Sequence, residues 1–160
     1  MRETNVKFTK LYQDLGVFAP VWQNVDETFF KACSHININK IRFQTDALGL
    51  EIYADPLLER VFCNIVANAL EYCNQVSLVT LSVTELPDCL IIKIEDDGIG
   101  IPLQDKETIF QKGYSMNTGL GLFLCREILS ITNITIKESG EHLHGTRFEM
   151  CVPKSAYRFS

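Results

Sequence analysis

The chain has no apolar run long enough to span a membrane, and it begins with no basic segment followed by an apolar one. Neither a transmembrane helix nor a signal peptide is expected, and the domain is read as cytoplasmic without direct membrane contact. There is no basic run, and the net charge is −5. That argues against nucleic acid as the main partner. Any polyanion must be held by local amides, a metal or a few placed cations. None of the six cysteines forms a Cys-x-x-Cys pair, and most lie within apolar runs. They read as small buried hydrophobes in a reducing compartment rather than as a zinc site or a disulfide frame. His142 and His144 flank Leu143 between two glycines, with no Cys or carboxylate cluster to complete a metal site, and read as turn residues. No internal repeat, low-complexity segment or Walker A loop is present.

What remains is 160 residues, nearly half of them hydrophobic, enough for one domain with a real core. The most informative stretch is Glu95-Asp96-Asp97-Gly98-Ile99-Gly100-Ile101-Pro102. It follows Cys89-Leu90-Ile91-Ile92-Lys93-Ile94, which predicts a buried strand. A strand ending in carboxylates and then Gly-x-Gly suits a flat polar ligand. The carboxylate accepts from an amino group, and bare backbone lets a ring lie close. A calcium loop fails: with Gly98 at the sixth position, Lys93 stands first and Gln104 twelfth, and with Gly100 there Lys106 stands twelfth.

Further elements follow in order. Phe8, Leu11, Tyr12 and Leu15 are spaced as a helical face that Gly16 and Pro20 end. Val25 to Cys33 reads as a short helix with Phe29 and Phe30 inward. Residues 41–45 and 50–54 read as a hairpin turned by Asp46-Ala47-Leu48-Gly49. Asp55 and Pro56 open the best helix of the chain. Its apolar stripe is Leu58, Val61, Phe62, Ile65, Ala69, Leu70 and Cys73. Asn64, Asn68 and Tyr72 step by four along a neighbouring face. Asparagine in a helix interior costs about 0.5 kcal/mol relative to alanine, so two on one face need a reason. Residues 77–86 and 89–96 read as paired strands turned at Pro87-Asp88. Residues 103–118 are a long, weakly periodic loop anchored by Phe110. Gly119-Leu120-Gly121-Leu122 then opens a helix over 123–131, where free amides and the helix dipole favour phosphate. Residues 134–138 and 146–152 read as closing strands.

The order of these stretches resembles the catalytic ATP-binding domain of sensor histidine kinases, within the GHKL ATPase superfamily. The resemblance covers residues 25–153. Asn64-Ile65-Val66-Ala67-Asn68-Ala69 is similar to that family's N box and Asp96-Asp97-Gly98-Ile99-Gly100 to its G1 box. Ile109-Phe110 is similar to the F box, Gly119-Leu120-Gly121-Leu122 to the G2 box, and Gly145-Thr146 to the last glycine motif.

This resemblance implies a two-layer α/β (α+β) sandwich, a mixed and mostly antiparallel sheet with helices on one face. It implies ATP and Mg²⁺ as ligands. Asp96 would accept from the adenine amino group with Thr146 nearby, and Tyr72 would pack beside the base. Gly98, Ile99, Gly100 and Ile101 would admit base and ribose. Asn64 would hold Mg²⁺ against the triphosphate and Asn68 would contact phosphate. Gly119, Leu120, Gly121 and Leu122 would meet the phosphates. Residues 103–118 would be the lid, with Gly113 in it. Family members often carry Lys or Arg just before the N-box tyrosine; here Glu71 stands there, and Lys112 is the candidate replacement.

The resemblance also implies partners: a histidine-bearing dimerisation domain of the same protein, and a response regulator. His35 lacks the acidic neighbour of the family's acceptor histidine. The chain is therefore expected to be an excised catalytic domain. Residues 1–24 would be the tail of a dimerisation helix and linker, 25–156 the catalytic domain, and 157–160 a C-terminal tail. Relatives that activate water or serine place Glu where Asn64 stands, since those nucleophiles need a base. A neutral imidazole does not. Histidine phosphorylation is thus expected over two alternatives: a GHKL ATPase or anti-sigma serine kinase, and a binding module without turnover.

Overall fold

The computed structural model describes residues 14–36, 41–72, 76–111, 121–141 and 143–160. Strand β1 (Val21–Asn24) leads into helix α1 (Val25–Cys33). Then come β2 (Arg42–Asp46), β3 (Leu50–Ala54) and the long helix α2 (Leu58–Tyr72). Strands β4 (Leu78–Glu85) and β5 (Cys89–Asp96) form a hairpin. Single 3-10 turns at Leu103–Asp105 and Thr108–Phe110 precede helix α3 (Gly121–Ser130). Strands β6 (Thr135–Glu138), β7 (Arg147–Pro153) and β8 (Tyr157–Phe159) complete the described fold.

The main sheet has the order β2-β4-β5-β7-β6, with β2 parallel to β4 and the other pairs antiparallel. The strands alternate as a half-buried sheet must. Leu90, Ile92 and Ile94 of β5 point to the buried face, as do Phe148, Met150 and Val152 of β7. Phe29 of α1, Phe62 and Ile65 of α2, and Leu124, Ile128 and Leu129 of α3 join the same core cluster. This is the expected two-layer sandwich with helices on one face.

The helices start where their caps dictate. The Asn24 side chain accepts from the Glu27 amide at 2.9 Å, and Asp26, Glu27 and Lys31 complement the dipole of α1. Asp55, 1 % exposed, accepts from the Leu57 amide at 2.9 Å and the Gly16 amide at 3.2 Å. One carboxylate thus organises the entry to α2 and ties down the segment before β1.

Four expectations need correcting. Residues 41–54 do not form a hairpin. The turn exists, with Leu50 N–H bonded to Ala47 C=O at 3.0 Å, but both edges of β3 are occupied by β1 and β8. No edge is left for β2, which pairs with β4 in the other sheet. Residues 157–160, read as a tail, belong to the fold. Tyr157–Phe159 pairs with β3, and Ser160 N–H bonds Gly49 C=O at 2.8 Å. Likewise Val21–Asn24 is a strand rather than linker. Finally, only one of the adjacent phenylalanines of α1 faces inward: Phe29 is fully buried and Phe30 is 47 % exposed. Adjacent helix positions lie about 100° apart, so a narrow buried stripe takes one of them.

Candidate functional site

The period of two along β5 places Asp96 on the same face as Ile92 and Ile94, at the strand's last position. The carboxylate is therefore carried into the layer between sheet and helices, where it is 8 % exposed. Its Oδ1 accepts from the Gly98 amide at 2.8 Å and the Thr146 amide at 3.2 Å, and its Oδ2 accepts from the Thr146 hydroxyl. An ionised carboxylate has about four acceptor positions. Three donors leave one lone pair of Oδ2 for a donor from outside the chain.

The turn holding this carboxylate requires glycine. Gly145 has φ +100°, and a Cβ there would lie 2.0 Å from the Asp96 carbonyl oxygen. Gly100 has φ +88°, and its Cβ would lie 2.7 Å from the Gly145 carbonyl oxygen. The two glycine motifs, far apart in sequence, are thus packed backbone to backbone. Of their neighbours, Gly98 is buried, Ile101 is fully buried in the core and Ile99 is 47 % exposed.

Asp97 takes a different part. Its Oδ1 accepts from the Ser77 and Leu78 amides at 2.8 and 3.2 Å, and its Oδ2 accepts from the Ser77 hydroxyl. Desolvation pushes its carboxyl upward, but these hydrogen bonds together outweigh it and hold it below the usual carboxylate range. It clamps the chain between α2 and β4 to the strand that carries Asp96.

Asn64 and Asn68 lie one turn apart on α2, 6 % and 5 % exposed. The Nδ2 of Asn64 and the Oδ1 of Asn68 are buried and make no hydrogen bond of ordinary geometry among the described residues, although the Asn64 side chain lies near enough to the Cys125 thiol to favour its charged form. Such atoms cost about 1–3 kcal/mol each if left alone. Helix α3 packs against this part of α2 through Cys125. The Cys125 thiol donates to Val61 C=O of α2 and to Gly121 C=O, each at 3.8 Å. Burial pushes this thiol up to about 12, against a smaller opposing pull from the Asn64 amide. It is a neutral bridge between the helices. Gly121 is the first described residue of α3 and Leu122 is fully buried. A cavity of about 540 Å³ adjoins Asn64, bounded also by Arg60, Cys63, Ala67, Leu57 and Pro56.

The loop after β5 is anchored more firmly than its sequence suggests. Ile109 is fully buried and Phe110 is 3 % exposed, its ring 6.4 Å from that of Phe148 and under the Arg126 guanidinium. The Arg126–Glu107 hydrogen bond, chiefly, keeps the Glu107 carboxyl below its ordinary value. Lys106 pairs with the fully buried carboxylate of Glu138, which also accepts from the Gly140 and Arg147 amides at 3.0 and 2.9 Å. Sequence reading missed this pair, because nothing local marks Glu138 as inward-facing.

Among the proposed site residues, Lys112, Gly113, Gly119 and Leu120 lie outside the described residues, as do the side chains of Glu71 and Tyr72; Tyr72 is the last residue of α2. Among the described residues no cluster of three His, Cys, Asp or Glu side chains could hold a metal. His144 lies exposed in the turn before β7, and His35 contacts Glu59 at 3.2 Å.

Comparison with known proteins bears on the fold and the family. The sensor protein PhoQ of Escherichia coli is 29 % identical over 147 residues, 89 % of this chain and 30 % of PhoQ. The chain thus spans less than a third of that relative. The mycobacterial sensor histidine kinase MprB superposes with TM-score 0.72 at 18 % identity, over 84 % of this chain and 97 % of that one. Histidine kinase ThkA, solved in complex with response regulator protein TrrA, gives TM-score 0.66 at 24 % identity, over 84 % and 42 %. These two superpositions speak to the fold alone. Residues 54–156, from the entry to α2 through the end of the main sheet, match the family described as histidine kinase-, DNA gyrase B- and HSP90-like ATPase. The chain belongs to that family, the GHKL ATPase domains, and is similar in sequence to the sensor kinase PhoQ.

Proposed function

We propose that this domain binds ATP with Mg²⁺ and donates the γ-phosphoryl group to a histidine on a dimerisation helix, in two-component signalling with a response regulator. The observation that carries the proposal is the division of hydrogen-bonding capacity along the site. One end has a fixed carboxylate with a single acceptor position left, and the other has buried amide atoms with no partner. Adenine offers an amino donor for the first. A polyphosphate offers acceptors for Asn64 Nδ2 and for the amides opening α3.

The donor set fits Mg²⁺ in one respect. This ion takes few protein ligands and keeps waters and substrate phosphates, so an amide oxygen without a carboxylate cluster is adequate. The unpartnered oxygen is on Asn68; Asn64 would present an oxygen only with its amide turned over, leaving the phosphate contact to the amides opening α3. The ion would supply charge neutralisation at the phosphates. Asn64 and Asn68 orient and hold; neither can take a proton. That suits an imidazole acceptor, which needs no base from this domain, better than water or serine.

The test is incubation with γ-labelled ATP, with and without added dimerisation helices of a sensor kinase. The expected result is little labelling of this chain alone and acid-labile, base-stable label on the added helices. Stoichiometric labelling of the chain alone, on any of its histidines, would overturn the reading.

A further inference from the structure

Helix α2 lays out Arg60, Asn64, Asn68 and Tyr72 at intervals of four residues, one face with steps of about 6 Å. The C-terminal end of that face is the base end, because Asp97 clamps Ser77 and Leu78, just beyond α2, to the strand bearing Asp96. A nucleotide lying along the helix therefore runs from Tyr72 toward Asn64, and Arg60 is next.

Arg60 and Asn64 bound the same cavity, into which an exposed cationic side chain and a buried, unpartnered amide both open. Among the described residues, other cations around the helix layer are already paired. Lys106 is held by Glu138 and Arg126 by Glu107, and Lys31 lies 3.6 Å from Glu59, whose other oxygen meets the His35 ring at 3.2 Å. Glu59, the carboxylate beside Arg60 in sequence, also bounds this cavity, where Lys31 and His35 rather than Arg60 engage it. The Arg60 guanidinium has no ion pair among the described residues. Its charge is felt at the cavity wall, where it opposes the upward push of burial on the Cys63 thiol.

We propose that Arg60 contacts the terminal phosphoryl group and makes the site prefer nucleoside triphosphate over diphosphate. The assignment rests on the nucleotide reading above and adds to it the cation that position 71, a glutamate, cannot supply. A planar, permanently charged fork suits a terminal phosphate with its several free oxygens. Once that group has been transferred, the contact is lost and the diphosphate is held only by the base end and Asn68.

The experiment is calorimetric titration of the chain with Mg²⁺-AMPPNP and with Mg²⁺-ADP, for wild type, Arg60→Ala and Arg60→Lys. Position 60 is exposed and alanine is the best helix former, so folding is retained. Arg60→Ala should weaken AMPPNP about tenfold or more and leave ADP within about twofold. Arg60→Lys should recover part of the loss. Equal losses for both nucleotides, or no change in either, would overturn the role of Arg60 while leaving the nucleotide site standing. A wild-type chain that binds neither nucleotide would overturn both.

Discussion

Asp96 and Asn68 are buried almost equally, at 8 % and 5 % exposure, yet their surroundings differ. Asp96 receives three hydrogen bonds from the turn that encloses it. Asn68 keeps an oxygen, and Asn64 a nitrogen, with no partner among the described residues. One end of the site is built by the same contacts that close the sheet. The other is held open on the face of a helix whose apolar stripe already secures it. Binding and folding are therefore coupled at the first end and opposed at the second. Substitutions should sort accordingly.

The largest effect belongs to the locked end. Gly145→Ala places a methyl group 2.0 Å from the Asp96 carbonyl oxygen at a backbone φ of +100°. Neither partner can yield, because both are backbone. The expected loss is about 3 kcal/mol or more, seen as a lower urea midpoint with cooperative unfolding. A variant as stable as wild type would mean that the base end is not locked, and the comparison would fail at its first step.

A paired measurement tests the opposition itself. Asp96→Asn puts an amide group where three donors converge, so stability should fall and ATP affinity should fall about tenfold or more, some 1.5–3 kcal/mol. Asn68→Ala removes a buried unpartnered oxygen and a poor helix former. Stability should hold or rise by up to about 1 kcal/mol while ATP affinity still drops. Denaturation and calorimetry on both variants decide it. Parallel movement of stability and affinity in Asn68→Ala would show that its oxygen has a structural partner.

The contrast also explains what could be read from the sequence. The Asp-x-Gly-x-Gly turn, the asparagine helix and the glycines before α3 are local patterns, legible without knowing which elements pack together. β5 and α1 have the bounds that alternation and capping predict, because each is decided by residues within one turn or one strand. β1 and β8 are four and three residues long, too short to show a period. Their existence depends on β3, whose two edges they cover. The hairpin reading of residues 41–54 failed for the same reason: a turn is local, but the partner of a strand is not. The Lys106–Glu138 pair joins groups 32 residues apart, and neither residue carries a local sign of it. Arg60 was passed over because an exposed arginine on a helix is ordinary until its neighbours are seen to be paired elsewhere.

The smallest expected effect sharpens the line between Asp96 and its neighbour. Asp97 is exposed, outside the buried layer that holds Asp96, and its bonds hold Ser77 and Leu78. Desolvation acts against its charge, but the hydrogen bonds prevail, so its folded-state carboxyl lies below the ordinary value. The sign follows from linkage. A depressed carboxylate stabilises the fold above its unfolded pKa, about 3.9, and loses that contribution as pH falls through the lower folded value. Asp97→Asn should therefore lower the unfolding midpoint modestly at neutral pH. The gap to wild type should hold down to about pH 5 and close progressively below about pH 4. ATP affinity at neutral pH should fall much less than in Asp96→Asn. Thermal unfolding of both proteins across that range, with calorimetry at neutral pH, makes the check. A gap that persists unchanged into acid would mean that Asp97 acts by packing rather than by charge. A loss of affinity matching that of Asp96→Asn would place both carboxylates in the site, and the division of labour at the end of β5 would be wrong.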